Sequence, residues 1–583
     1  MIKDYQLSMD KIRTENNKNN GLTIFIIVNS FLLLLVIFRI FFCIAVLDEA
    51  FNVGEAFRAL QGNQYLVENW DYFQTGDSFL TPFLFVFYKI TGSTDGIILY
   101  SRIVFIVLQL LLSVLMYKVL SRFFDRSAAF FSIIIVETAV QFLLFYMWYD
   151  NWEVYFRLIG LFLIFYVFSS FGKISNRKAF LLIFMAGVAH ACMVYAYPTT
   201  IIVYLFVLGV LLFFKRKQSA KVHNFYVLFY LMGAALVFLI FVIYVLKIGY
   251  KNLFVFNSVI SKVGLASTGR DGYFTLPKIL SNTILLITKN IKCYLMGLIV
   301  YVIGLLVLYL LRKNPKRALI YLIVMFFGGL VELVYGEAGS LTTGFMMTYL
   351  SFYVPPLYLL IRKRSDKREF YKNLIVIVML SSYVSGLAYG YTALNGSLKF
   401  ACGARPCAII AILLAYEVLK QYGSEQLYRI AFSAAATVLV VVNVLNMYGY
   451  SFEGTAPFKC NTRINSGIYK GLLDTSETAE RYKTVYHDLG ELVRETDKTI
   501  TCGPYAMEFY LITNLKPNTS NLWDPNNTEL LLEYYDTYYG KPDLIVLHDS
   551  VSEYTNKVFL DFVKDNYQLA KYTDGYYIYR KKL

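Results

Sequence analysis

Apolar stretches about 17 to 25 residues long recur along the chain as far as position 450, and polar breaks separate them. As helices rising ~1.5 Å per residue, such stretches cross the ~30 Å hydrocarbon core of a bilayer. The pattern predicts spans near 22–47, 97–118, 127–147, 154–171, 179–196, 198–214, 224–246, 283–311, 318–336, 345–361, 371–389, 405–419 and 428–448, about thirteen in all. The break at 48–96 is too long and too rich in aromatics, turn residues and acids to be a simple connector, and it predicts short interfacial helices at 55–61 and 78–88.

From about 450 the hydropathy falls and the period changes. Residues 477–495 predict an amphipathic helix with Val485, Leu489, Leu492 and Val493 on one side, and Thr499–Cys502 predicts a strand closed by Gly503-Pro504. A helix at 529–538, a buried strand at 544–547, a helix at 553–565 and a hairpin over 567–580 turning at Asp574-Gly575 follow. Strand and helix alternate, which describes a small α/β layer domain. The expected fold is therefore an α-helical polytopic membrane protein with a small C-terminal α/β domain. Its parts are an N-terminal segment (1–21), a transmembrane module (22–448) and the α/β domain (449–583).

Composition agrees: 57% of residues are hydrophobic and only 16% charged, with mean hydropathy +0.52. The net charge of +15 suggests nucleic acid at first sight. The basic residues, however, are spread over alternate loops rather than gathered on one face, which excludes that partner. Lys3, Lys11, Arg13, Arg122, Arg126, Lys173, Lys215, Arg312, Lys316, Arg362 to Arg368, Lys420 and Arg429 fall on one side, the cytoplasmic one by the positive-inside pattern. An odd number of spans then places residues after 449 outside the cytoplasm. The run after Gly21 is too long for a signal-peptide core, so the first span is expected to stay as an uncleaved anchor. Of the seven cysteines, Cys402, Cys407, Cys460 and Cys502 fall on the outer side, where disulfides are allowed but their pairing is open. Zinc-ligand spacing, a GxGxxG turn and a P-loop do not occur in the sequence.

The ionisable residues crowd one depth. Asp48-Glu49 stand at the outer end of the first span, followed by Glu55, Arg58, Gly62 and Trp70. Asp150 and Glu153 occupy a very short second outer turn, and Arg157 lies one helical turn further in, placed to pair with Glu153. Arg102, Glu332, Glu337 and Arg405 reach a similar depth, and Lys262, Arg270 and Lys278 make the loop after the seventh span cationic. Glu137 sits deeper, with Gln141 one turn away, and predicts a buried interhelical hydrogen bond or a protonated acid. His190 is expected to bond a neighbouring helix rather than a metal. The sequons at Asn395, Asn518 and Asn526 would face outward.

These residues resemble the GT-C superfamily of multi-span glycosyltransferases, which includes the protein O-mannosyltransferases and lipid A aminoarabinose transferases. The likeness rests on Asp48-Glu49 after the first span, the long loop through Gly62 and Trp70 to Pro82, the acidic turn at Asp150–Glu153 and the soluble C-terminal domain. Where the aminoarabinose branch has a Lys-Pro-Pro-like segment, this chain reads Asp77-Ser78-Phe79-Leu80-Thr81-Pro82, which leaves the sugar open. The resemblance implies inverting transfer from a polyprenyl-phosphate-linked sugar to an extracytoplasmic acceptor in the cell envelope. Asp48 would be the general base with Glu49 beside it, and Arg102, Arg157, Lys262, Arg270 or Arg405 would stabilise the departing phosphate. Asp150 and Glu153 would hold a divalent cation, Mg²⁺ or Mn²⁺, if one is used. A transporter or flippase of a lipid-linked glycan, and a glycan polymerase or ligase, are the alternatives.

Overall fold

A computed structural model describes residues 22–45, 48–71, 74–139, 146–170, 172–213, 220–253, 277, 281, 284–285, 288, 295–335, 352–362, 368–392, 396–451, 454–503, 505–522, 528–549 and 557–582. The chain enters through α1 (Leu22–Phe41). It then forms α2 (Asp48–Arg58), α3 (Gln74–Asp77), α4 (Thr81–Thr91), α5 (Ile97–Leu120) and α6 (Arg126–Thr138). The bundle continues with α7 (Tyr149–Ser169), α8 (Asn176–Ala196), α9 (Ile201–Phe213), α10 (Ala220–Ile248), α11 (Leu295–Leu310), α12 (Arg317–Tyr335) and α13 (Val354–Arg362). The run α14 (Arg368–Ala388) carries a π-helical stretch at Leu374–Leu380, and α15 (Gly396–Leu419) and α16 (Glu425–Gly449) complete the bundle.

A helix stands at every predicted apolar stretch. Among the described residues, seven are long and apolar enough to cross a membrane: α1, α5, α7, α8, Asn224–Ile248 within α10, α14 and α16. Pro198–Phe213, Leu298–Leu310 and Arg317–Val331 are apolar but shorter. The count of about thirteen is therefore not reached, because several predicted spans run into residues outside the described set, such as 140–145 and 336–351. Short polar residues start the helices where the loops meet them. Asp125, Ser175 and Ser424 each accept a backbone N–H of the helix that follows, which satisfies a donor the first turn leaves open.

Beyond α16 lie a two-stranded ribbon, β1 (Thr462–Arg463) with β2 (Leu473–Asp474), and α17 (Ser476–Leu492). There follow β3 (Thr499–Cys502), α18 (Glu508–Thr513), β4 (Lys516–Pro517), α19 (Thr528–Thr537), β5 (Leu544–His548), α20 (Lys557–Asn566), β6 (Tyr567–Thr573) and β7 (Tyr576–Lys581). The sheet order is β4-β3-β5-β7-β6, with β3 parallel to β4 and β5, and β7 antiparallel to β5 and β6. The predicted turn holds: Asp574 and Gly575 both take positive φ, 45° and 85°, the combination a tight hairpin requires.

Both faces of the sheet are covered, and each cover includes a residue from the 48–96 segment. Along β5, Leu544 and Val546 point to a core shared with Val485, Leu489, Phe509 and Phe51 of α2. Ile545 and Leu547 point to the other core, with Leu530, Tyr534, Phe559 and Trp70. The segment after 449 thus packs against the 48–96 segment on both faces of its sheet.

Candidate active site

The first span ends earlier than its apolar sequence predicts. α1 stops at Phe41, and residues 42–45 leave the helix through Cys43 at φ 65°, with Cys43 N–H donating to Leu473 O at 2.8 Å and Ile44 N–H to Asp474 Oδ2 at 2.7 Å. Asp48 and Glu49 accordingly do not end a span; they open α2, where the N-terminal turn favours carboxylates. In the same stretch the Cys43 and Cys460 sulfurs lie 3.5 Å apart as thiols.

Asp48 is partly buried and Glu49 fully so. Both Glu49 oxygens accept from Arg102 on α5, from Nε at 2.7 Å and from Nη2 at 2.5 Å. The other Arg102 N–H groups donate to Ile40 O, Phe42 O and Cys43 O at 2.8 to 2.9 Å. All five guanidinium donors are therefore spent on protein acceptors. This corrects two expectations. Arg102 has no donor left for a phosphate, and Glu49 is bound up in tying the start of α2 to α5, whose Arg102 in turn holds the end of α1.

The acidic turn forms the head of α7. Asp150 and Glu153 are fully buried, and Glu153 Oε1 accepts from Arg157 Nε at 3.0 Å, the pairing predicted from their spacing. Arg157 Nη1 also donates to Gly403 O at 2.8 Å, which fixes α7 to α15. Two residues along α15, Arg405 faces Glu137 of α6 at 3.6 Å and donates to Val136 O at 3.1 Å. The deep acid Glu137 is thus ion-paired, and Arg405 keeps a buried Nε that bonds none of the described residues.

The short helix α3 lies against this head. A Cβ added to Gly76 would sit 2.4 Å from Tyr149 Cβ and 2.8 Å from Ala196 O, so glycine allows the contact with α7 and α8. The neighbour of that glycine, Asp77, is 1% exposed, and its Oδ2 bonds none of the described residues. Burial drives the Asp77 carboxyl well above the ordinary range, and the nearby charges of Asp71, Glu55 and Asp150 push it the same way. Sequence reading gave Asp77 no role. An acid preceded by glycine inside an aromatic-rich loop was its only signal.

Glu55 and Arg58 were noted but given no role, and they join the 48–96 segment to the C-terminal domain. Glu55 Oε1 accepts from Leu522 N–H at 3.0 Å and Oε2 from Asn69 Nδ2 at 2.7 Å. Arg58 Nη1 pairs with Glu55 at 3.4 Å and Nη2 donates to Thr519 O at 2.6 Å. Asn518, expected to face outward as a glycan acceptor, is buried with its amide donating to Gly540 O at 2.8 Å. His190 bonds Tyr230 at 2.8 Å, as a helix-bridging residue should. Lys262, Arg270, Lys278, Glu337, Asn395 and Asn526 lie outside the described residues.

Among the described residues, one set of three metal-type ligands converges, His487, Asp488 and Glu491 on α17. Asp488 there already accepts from Lys571 at 2.5 Å and from Thr573 at 2.6 Å. Asp150 and Glu153 belong to no such set among the described residues, and Glu153 is occupied by Arg157.

The fold defines an α-helical, multi-span membrane protein whose first polar loop and C-terminal sheet build a common roof. No family model and no curated protein matches the chain. Among solved structures it is similar to an oligosaccharyltransferase and to ArnT. One is the Archaeoglobus fulgidus oligosaccharyltransferase in complex with zinc and sulfate, at 12% identity and a TM-score of 0.47 over 93% of this chain and 71% of that one. Another is ArnT from Cupriavidus metallidurans without ligand, at 9% and 0.38 over 96% and 98%. ArnT bound to undecaprenyl phosphate gives 9% and 0.39 over 95% and 97%.

Proposed function

We propose that the protein is an inverting membrane glycosyltransferase that moves a sugar from a polyprenyl-phosphate donor to an acceptor on the extracytoplasmic face. The observation that carries this reading is the placement of Asp48: it opens α2 just beyond the first span, and its neighbour Glu49 is locked to the bundle by Arg102. A base held on a rigid element in this way is suited to repeated proton transfer. Asp48 takes the proton of an acceptor hydroxyl while that oxygen attacks the anomeric carbon. The bond from that carbon to the phosphate oxygen breaks, and the lipid phosphate leaves with the electron pair. An anionic leaving group needs no acid, so one base suffices, in contrast to glycoside hydrolysis, where two carboxyl groups act together. Arg405, with its buried Nε, and Arg157 are the described cations suited to the departing charge, with Lys262 and Arg270 as further candidates. The N-terminus is then cytoplasmic and the sheet domain lies outside.

Asp48→Asn should lower transfer by ~10²-fold or more while leaving the melting temperature of the purified protein near wild type. Release of lipid phosphate from synthetic polyprenyl-phosphosugars is the assay. Wild-type turnover in the variant removes Asp48 from the mechanism, and transport without bond cleavage favours a flippase instead.

A divalent cation near Asp150 is a second reading, supported by the buried Asp77 carboxyl close to Asp150 and Asp71. Several acids in one dry place are eased by a hard cation. Exhaustive chelation should then abolish transfer and Mg²⁺ or Mn²⁺ restore it. Activity indifferent to chelation rejects this reading alone.

A further inference from the structure

A cavity of about 170 Å³ opens where the sheet domain meets the segment that follows α1. Ile44 forms one side, Arg481 and Tyr482 of α17 another, and Tyr505, Glu508, His548 and Tyr576 close the rest. It is separate from the polar head of α7, and the transfer mechanism makes no use of it.

Its walls combine flat rings with a few fixed polar atoms. The Tyr505 and Tyr576 rings lie 5.8 and 5.0 Å from the His548 ring. Tyr505 holds its place with φ of 65°, a conformation that a bulky residue rarely adopts and that tends to occur where a binding site imposes it. Glu508 Oε1 accepts from the Tyr576 hydroxyl at 3.0 Å. Glu508 Oε2 is shut off from solvent and bonds none of the described residues. A buried carboxyl oxygen without a donor is uncommon in a folded protein and calls for one. Arg481 binds Asp574 through Nε and Nη2, which fixes the guanidinium at the rim, and its Nη1 meets no acceptor among the described residues.

These features select among ligand classes. An anion is disfavoured by Glu508 and Asp574. A purely apolar ring would leave Glu508 Oε2 unpaired, at the desolvation penalty of such a group. A metal finds no set of three ligand atoms here among the described residues. A sugar ring supplies what is missing, with C–H faces for the aromatic rings, a hydroxyl hydrogen for Glu508 and a hydroxyl oxygen for Arg481. The volume is small for an extended ligand and suits a single ring. Burial raises the Glu508 carboxyl to about 7, which fits a partner able to bond either protonation state.

We propose that this cavity is a saccharide subsite that seats one uncharged sugar ring of the acceptor, so that the acceptor is itself a glycan. The acceptor role rests on the transferase reading, because Ile44 places the ring beside the short segment that leads to Asp48. The saccharide site itself stands on the cavity alone.

The test uses the full chain in lipid nanodiscs, free of glycoside detergent. Saturation-transfer NMR with irradiation of the aromatic protons is run against a panel of neutral hexoses and N-acetylhexosamines. Saturation should reach the ring C–H protons of at least one sugar. Glu508→Gln and Arg481→Ala should each weaken that binding about tenfold, the effect of one hydrogen bond to a charged group. The half-exposed position of Arg481 keeps the second variant foldable if the first fails. No transfer to any sugar, equal transfer in both variants, or binding of an alkylamine but of no neutral sugar overturns the subsite. Sugar binding through Glu508 in a protein that never releases lipid phosphate from its donors overturns the transferase reading and with it the acceptor assignment.

Discussion

Glu49 and Arg102 carry opposite charges in a place that water does not reach, each oxygen of one held by a nitrogen of the other. Such a pair adds little net stability, yet removing one partner strands the other. Glu49→Ala should therefore lower the stability of the folded protein by ~3–5 kcal/mol, read as a drop in melting temperature, and Asp48→Asn should not. Glu508 makes a different expectation. Its carboxyl is raised to about 7 by burial, so between the ordinary carboxyl range and pH 7 the folded chain holds a proton that the unfolded chain has lost. The stability contributed by neutral Glu508 is thus full in acid and declines as pH rises through about 7. Glu508→Gln should flatten the loss between pH 5 and 8, by on the order of 2–3 kcal/mol, in melting curves taken across that range. Sequence revealed these residues unequally. Asp48, Glu49 and the Glu153–Arg157 spacing were legible because local patterns carry them. The partnership of Arg102 with Glu49, and the approach of Asp77 to Asp150, depend on how distant segments meet and leave no periodic trace.

The elements themselves were largely written in the hydrophobic period. Thr499–Cys502, the Asp574-Gly575 turn and the helices flanking the sheet appear where alternation and turn residues place them. The end of α1 was not legible, since Cys43 to Leu47 is apolar and reads as more span, whereas after Phe41 the chain leaves the helix and Phe42 bridges to Leu473. Close helix crossings were also hidden. A Cβ on Gly187 would lie 2.1 Å from Tyr230 O, and one on Gly233 would lie 2.2 Å from Phe184 O, so α8 and α10 touch backbone to backbone through two glycines. Gly187→Leu should separate these helices and loosen the His190–Tyr230 bond. A lower melting temperature and faster amide exchange in α10 are the expected signs, and an unchanged profile would contradict the crossing.

In the whole molecule the 48–96 segment and the sheet domain share both of their cores through Phe51 and Trp70. A chain ending at residue 449 should for this reason lose amide protection across α2 even with the bundle intact, as hydrogen exchange would report. On the proposed topology, with the positive loops in the cytoplasm, a reporter fused after Leu583 should be active only outside the cytoplasm. The join also fixes an order in time. Arg58 meets Thr519 across 461 positions of chain. At ~5–20 residues per second of synthesis, α2 waits roughly half a minute to a minute and a half before its guanidinium finds that carbonyl. Throughout that interval Glu55 and Arg58 have only each other and their neighbours in the loop, and Phe51 and Trp70 have no sheet to cover. The nascent chain therefore carries α2 as an unfinished, exposed surface, and completes it only when the sheet domain has been made.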